Sequence, residues 1–282
     1  MQQGIARNRY KRMLVAGLIV ISAATMRAQI NNSFTNPAAD VTAKLPAFEV
    51  ATIKAVSPNG GGIRIAGFLS YPGGRVIVGH ATVQTLIYYA FDVQTFQISG
   101  GTDWAAKDLY DVEALPPDSS ASHLQKASPF IANPTDEQRK MILSLLIDRF
   151  GLKFHREIKE GPIFLLTRDS TKLQMQPPKD PDADPRAGVL DKGGIYDGEA
   201  HGINTSMPYL AKQLTRGLGR PVLDQTGLKG SYDFDVAPYD PTNTDFTSAA
   251  IESLKRIGLK LKADKGPVET IVIDTVMRPT EN

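Results

Sequence analysis

The chain has 282 residues, of which 41% are hydrophobic and 22% charged, so it can bury one or two ordinary cores and does not resemble a disordered chain. It contains no cysteine, which excludes disulfide bonds, iron–sulfur clusters, a thiol nucleophile and every cysteine-ligated zinc site. Its formal net charge is +2, and the first 28 residues contribute five positive charges and no negative charge.

Residues 1–28 have the layout of a secretory signal peptide. Four basic residues precede an apolar run, Met13–Ala24, that ends in small side chains. At a helical rise of about 1.5 Å per residue this run spans about 18 Å, less than the roughly 30 Å of a bilayer core, so the run favours a cleaved signal over a membrane anchor. We therefore predict an exported protein, periplasmic or extracellular, with no membrane span after cleavage.

Cleavage of this segment reverses the sign of the net charge. It removes five basic groups and no acidic group, which leaves a net charge of about −3. The remaining chain has no cluster of Lys and Arg interleaved with aromatic residues, so the sequence offers no electrostatic footprint for nucleic acid. Residues 29–46 are predicted to be a polar tether.

Residues 47–173 alternate strand and helix patterns and form the first predicted unit. Strands are recognised by side chains of alternating polarity, and helices by apolar side chains repeated every three or four positions. The predicted elements are a strand at Phe48–Ile53, a strand at Arg75–Val78, a helix at Thr82–Phe91, an extended segment at Thr95–Ile98 and a strand at Leu109–Ala114.

A longer helix follows, with the clearest end signals in the chain. Thr135 and Gln138 have the spacing of a capping box, which satisfies backbone N–H groups at a helix start. Apolar residues then recur at helical spacing until Gly151, a residue type that ends helices because it adopts left-handed backbone angles without strain.

Residues 174–194 are predicted to be a linker or loop because they contain four prolines and four aspartates and show no apolar periodicity. Residues 195–282 form the second predicted unit. Its elements are a helix at Met207–Leu218, an extended segment at Val222–Asp224, a strand at Tyr232–Val236 and a helix at Phe246–Ile257.

Both units are predicted to end in a β-hairpin. In the first, Leu152–Ile158 and Ile163–Thr167 flank a Gly-Pro turn at Lys159–Pro162. In the second, Leu259–Lys262 and Val268–Ile273 flank a second Gly-Pro pair. Such short turns do not allow crossover connections, so the pattern indicates small mixed or antiparallel sheets with helices packed on one face, an α+β fold.

Several short motifs occur twice in the same order, which indicates an internal duplication. Tyr110-Asp111-Val112-Glu113 matches Tyr232-Asp233-Phe234-Asp235, and Gly151-Leu152-Lys153-Phe154 matches Gly258-Leu259-Lys260-Leu261. We therefore predict two similar α+β units that face one another. Ligands favour the seam between two such units.

Four carboxylates are candidate site residues: Asp111 and Glu113 in the first unit, and Asp233 and Asp235 in the second. The two carboxylates of each pair are two positions apart on a strand, so their side chains lie on the same face of the sheet. Paired carboxylates suit acid–base catalysis or the binding of a hard cation. The competing interpretation is a solvated strand face whose intervening apolar residue points into the core.

Trp104 is a fifth candidate because it is the chain's single tryptophan and follows the Gly100-Gly101 pair. Its indole suits ligand stacking or packing over the edge of the core. Sequence signatures of zinc peptidases, serine hydrolases and phosphate-binding loops are absent. We accordingly predict no catalytic residue, no cofactor and no metal.

Several segments together resemble an uncharacterised secreted family that is expanded in soil acidobacteria and known as a domain of unknown function. The resemblance runs from about residue 47 to the C-terminus and is carried by Phe48–Lys54, Phe96–Gly101 with Trp104, Tyr110–Ala114, Asp148–Lys153 with His155–Glu157, Gly219–Val222, Asp224 with Thr226–Leu228, and Gly258–Leu261 with Lys265–Glu269. It implies an envelope or extracellular location and brings no catalytic residues.

These observations lead to three hypotheses about function. The first is a non-enzymatic exported module that binds an unidentified envelope ligand or protein. The second is a secreted hydrolase acting on glycan or peptide through the candidate carboxylates, which requires two carboxyl groups within about 5 to 10 Å of each other. The third is a structural envelope protein without a small ligand, in which the seam is packed solid.

Overall fold

The computed structural model describes residues 45–56, 66–117, 133–169, 172–188, 200–236 and 246–279. Residues 45–282 belong to one compact unit. The predicted signal peptide and nearly all of the predicted tether lie outside the described residues. Within the described ranges, no helix combines the length and the apolar character needed to cross a membrane.

The first sheet comprises the strands β1 (Val50–Ala55), β2 (Gly67–Ser70), β3 (Val76–Ala81) and β5 (Tyr110–Leu115). It is antiparallel throughout and has the strand order β1-β5-β3-β2. β2 has no counterpart among the predicted elements, whereas β1, β3 and β5 lie within a few residues of the predicted strands.

Two helices accompany this sheet, α1 (Val83–Phe91) and α2 (Asp136–Phe150). The predicted capping box of α2 is confirmed, since Thr135 and Gln138 each accept a hydrogen bond from the other's backbone N–H, at 3.2 and 2.9 Å. Gly151 ends the helix with a φ of 57°, as its left-handed preference predicts.

The central sheet is built on two long strands, β6 (Lys153–Arg168) and β11 (Leu259–Thr275), which pair antiparallel along their whole length. β4 (Ile98–Gly100) lies parallel to the C-terminal part of β11, and β9 (Val222–Asp224) lies parallel to the C-terminal part of β6. The strand order is therefore β4-β11-β6-β9.

The two predicted hairpins are wrong, because β6 and β11 each run straight through the expected Gly-Pro turn. Phe164 donates its N–H to Pro221, away from β11, and Pro162 is two residues earlier, so its nitrogen points the same way. Ile273 likewise directs its carbonyl toward Gly101, away from β6, and Pro267 lies at the same phase of the strand. Neither proline therefore removes a hydrogen bond from the β6–β11 ladder.

The third sheet is antiparallel, with the order β10-β8-β7. It comprises β7 (Arg186–Gly188), β8 (Ala200–Ser206) and β10 (Ser231–Val236), so part of the predicted linker is a strand of this sheet. Helices α3 (Met207–Leu218) and α4 (Phe246–Arg256) belong to the same half of the molecule, and α3 agrees with its predicted bounds.

Two hydrophobic cores form, and both long strands contribute to each. The first core includes Ile271 and Ile273 from β11 and is joined by Phe154 from β6. The second includes Phe164 and Leu166 from β6 together with Leu259 from β11. Directly paired residues share a face, so both cores lie on the same face of the central sheet. The α+β prediction is confirmed.

Candidate functional site

Asp111 stabilises an irregular turn of backbone in the first sheet. His80 interrupts the pairing of β3 with β5 and has a φ of 51°, and its backbone N–H donates to Asp111 Oδ1 at 3.0 Å. The His80 Nδ1 atom lies 3.8 Å from the same oxygen. Asp111 is 8% exposed, so the prediction of a solvated strand face is wrong for this residue. The bulge leaves the His80 N–H without a partner in the β3–β5 ladder, and the Asp111 carboxylate accepts this N–H and so stabilises the bulge.

Asp233 has the corresponding role in the third sheet. Asn204 interrupts the pairing of β8 with β10 and has a φ of 45°, and its N–H donates to Asp233 Oδ1 at 2.8 Å. The backbone N–H of Lys179 donates to Oδ2, also at 2.8 Å. The N–H bonds of Lys179 and Asn204 hold the pKa of Asp233 below its usual value because they favour the ionised carboxylate.

The two bulges occupy equivalent places in the chain. His80 lies two residues before Thr82, the N-cap of α1, and Asn204 lies two residues before Ser206, the N-cap of α3. Each N-cap hydroxyl accepts a hydrogen bond from the backbone N–H three residues later. The repeated Tyr-Asp motif thus has the same local surroundings in both halves.

The other two candidate carboxylates are exposed. Glu113 forms an ion pair with Arg75 at 3.1 Å, and Asp235 lies two residues beyond Asp233 on β10. Val112 and Phe234, the residues between the carboxylates of each pair, are buried as predicted. The structure places the two pairs in different sheets and does not gather the four carboxylates into one set.

Trp104 lies in a 3₁₀ turn, Asp103–Ala106, half-buried against the first core. The guanidinium of Arg278 covers the indole at 4.9 Å from the ring centroid and pairs with Asp108 at 2.9 Å. A cation stacked on the ring occupies the face that a ligand would use. The tryptophan therefore packs over the edge of the core.

A cluster of charges missed by sequence reasoning surrounds Asp92, the residue that ends α1 with a φ of 55°. Its carboxylate lies 3.1 Å from Arg139 of α2, 3.5 Å from Arg216 of α3 and in contact with Lys212 of α3. We call these four residues the Asp92 cluster. Lys212 and Arg216 are four residues apart, so the sequence predicts that they share one face of α3. Asp92 is more than 100 residues away in the chain, so no local sequence pattern predicts that it contacts this face.

The two cores leave a strip of the central sheet between them, which we call the seam: Ile158, Glu160 and Pro162 of β6, with Lys265 and Pro267 of β11. These residues follow one another on the face that carries both cores, and Ile158 is 52% exposed. Phe91, which directly precedes Asp92, packs edge-on against Phe154 of β6. The Asp92 cluster therefore lies close to the end of the seam at which Ile158 follows the residues of the first core on β6.

In the part of the chain that the structure describes, no three His, Asp or Glu residues are placed to hold a metal ion. Residues 84–276 match the family model described as "Protein of unknown function (DUF3738)". The chain belongs to the DUF3738 family. The DUF3738 match begins inside α1 and ends directly after β11, so it contains the Asp92 cluster, the seam and both long strands. No curated protein and no solved structure matches the chain.

Proposed function

We propose that this DUF3738 protein is a non-enzymatic module of the cell envelope that binds a ligand or a partner protein at the seam. The observation that carries the proposal is the open strip between the two cores, where Ile158 exposes half of its surface among charged neighbours. The strip lies at the junction of the two cores, and ligand sites occur preferentially at such junctions.

The surroundings of Asp111 and Asp233 favour binding over hydrolysis. Each carboxylate accepts backbone hydrogen bonds that hold a strand bulge in place. A carboxylate used as an acid or base needs an oxygen within hydrogen-bond reach of the substrate. The N–H groups of Lys179 and Asn204 already engage both oxygens of Asp233.

The proposal includes an internal duplication of the chain. Three features support it: the paired bulges at His80 and Asn204, the similar placement of β4 and β9, and the reciprocal use of β6 and β11 by the two cores. If each copy contributes its long strand to the core of the other copy, the two strands cross between the cores, and the strip where they cross is the seam.

Export to the envelope rests on residues 1–28 and is tested in the native host. We expect the mature protein to be recovered from the periplasm or the medium, beginning after Ala24 or Ala28 on N-terminal sequencing. A variant lacking residues 1–28 serves as the control and is expected to stay in the cytoplasm. Cytoplasmic recovery of the uncleaved chain would refute export.

Binding at the seam is tested by titrating the purified protein against cell-wall fragments, oligosaccharides and envelope extracts. Ile158→Asp is expected to abolish saturable binding, because it replaces the exposed aliphatic side chain of the seam with a charge. Ile251→Asp is the matched control, since Ile251 is 39% exposed and belongs to α4 and not to the seam. Equal binding by both variants, or turnover of a titrant without binding at the seam, would reject the proposal.

A further inference from the structure

We propose that the Asp92 cluster binds an oxyanion group, a carboxylate or a phosphate, carried by the ligand of the seam. The inference rests on the proposed function and specifies the chemistry of that ligand. It begins from an imbalance of charge: three cations, Arg139, Lys212 and Arg216, converge on the single carboxylate of Asp92.

The imbalance lies in a partly buried place. The side chains of Arg139, Arg216 and Asp92 are 14%, 21% and 26% exposed, and that of Lys212 is 41% exposed. The next carboxylate that the structure describes near these cations is Asp136, which lies 3.8 Å from Arg139 and is fully exposed to water. Solvent screens such an exposed charge strongly, so Asp136 compensates the two partly buried guanidinium groups poorly. The cluster therefore favours a further anion.

A second observation is independent of the charge count. In the described part of the chain, the Nε atom of Arg216 is buried and has no hydrogen-bond partner. Buried donors in folded proteins are nearly always satisfied, and an orphaned guanidinium donor is suited to an incoming acceptor. A planar guanidinium also matches the two oxygens of a carboxylate or phosphate better than it matches chloride.

Tyr89 lies near the same guanidinium, and its hydroxyl hydrogen-bonds to the backbone of Phe68. Burial raises the pKa of the Tyr89 hydroxyl, while the charge of Arg216 lowers it to a smaller extent. The hydroxyl therefore keeps its proton at neutral pH and adds no negative charge to the cluster. The backbone carbonyl of the same residue accepts from Arg139 at 3.0 Å, which fixes Arg139 beside Asp92.

The test measures the affinity of the purified full chain for inorganic phosphate and, separately, for succinate, by calorimetry at constant ionic strength. We expect saturable binding of at least one probe, and the stronger probe identifies the oxyanion. Arg216→Gln is expected to weaken binding about tenfold, the loss of one charge-assisted hydrogen bond. Arg256→Gln is the matched control, because Arg256 is exposed on α4 and paired with Glu252.

Asp92→Asn separates an anion site from a purely structural ion-pair cluster. Removal of the resident carboxylate is expected to raise the affinity for the anion by severalfold, although it destabilises the fold. If Asp92→Asn does not fold, the comparison of Arg216→Gln with Arg256→Gln decides alone. Equal affinities of those two variants, or no saturable binding of either probe, would overturn the inference. Retention of Ile158-dependent binding of envelope extracts in that case would leave the proposed function standing.

Discussion

The backbone N–H of Asn204 donates a 2.8 Å hydrogen bond to Oδ1 of Asp233, and this bond joins a strand bulge to the neighbouring strand. Asn204 has a φ of 45° and is left out of the pairing between β8 and β10, so its N–H needs an acceptor other than a backbone carbonyl of β10. Lys179 supplies a second N–H to the same carboxylate. Asp233 therefore joins the segment before β7 to both β8 and β10.

Acid is expected to destabilise the protein in part through Asp233. The folded-state pKa of Asp233 is lowered, first by the N–H of Lys179 and then by that of Asn204. Its contribution to stability is therefore present above the unfolded pKa of about 3.9 and is lost as pH falls through the lower folded value. Thermal unfolding followed between about pH 7 and pH 2 is expected to show this loss.

Asp233→Asn should lower the unfolding midpoint at neutral pH, since an amide offers one oxygen where two N–H groups need acceptors. The acid-dependent part of the stability should shrink in the same variant. Asp235→Asn removes an equal charge from an exposed position of the same strand and is expected to change little. Indistinguishable pH profiles for the two variants would contradict the assigned role of Asp233.

Gly202→Ala is expected to destabilise the second core. A Cβ at Gly202 would lie 2.2 Å from the ring of Phe234, its cross-strand partner. Forced overpacking of this kind costs about 1 to 3 kcal/mol, to be measured by chemical denaturation. Combining Gly202→Ala with Phe234→Leu should cost less than the sum of the two single changes. Strict additivity would show that the ring and residue 202 do not share the space.

Arg278→Ala should change the fluorescence of Trp104, the chain's single tryptophan. Loss of the stacked guanidinium admits water to the indole face, so we expect emission at longer wavelength and stronger quenching by acrylamide. Arg75→Ala is the control, because Arg75 stacks on Tyr71 and leaves the indole untouched. An unchanged spectrum in Arg278→Ala would mean that the ring is already exposed to water.

Replacing two edge lysines should promote self-association. Among the described strands none pairs with the outer edge of β11 between Leu259 and Lys265, and its lysines oppose edge-to-edge pairing. Lys260→Val with Lys262→Val is expected to give dimers or larger species on light scattering. The exposed lysines Lys229 and Lys255, replaced in the same way, provide the control. Monomers in both cases would show that other features protect this edge.

Elements with a local signal were predictable from the sequence. The capping box of Thr135 and Gln138, the glycine that ends α2 and the bounds of α3 all depend on residues within one or two helical turns of each other. The short strand β9 also agrees with its predicted bounds. These features together were enough to establish the α+β class.

Features that depend on distant residues were not predictable. Gly161-Pro162 and Gly266-Pro267 read as turns, and only the pairing of β6 with β11 shows that their prolines point away from the ladder. The Asp92 cluster joins residues 120 and 124 positions apart. The burial of Asp111 likewise follows from a bulge in another strand, which alternation of polarity along β5 does not reveal.

The reciprocal strands also determine how the chain reaches its native state. Paired residues of β6 and β11 are 91 to 122 positions apart, from Arg168 with Leu259 to Lys153 with Thr275, and each core is completed by a strand from the other end of the folded region. Such distant pairing predicts slow folding, because the intervening chain must close a large loop before the strands stabilise each other. A nascent chain that lacks β11 would leave apolar side chains of both cores in water, so neither core is completed before that strand has been synthesised.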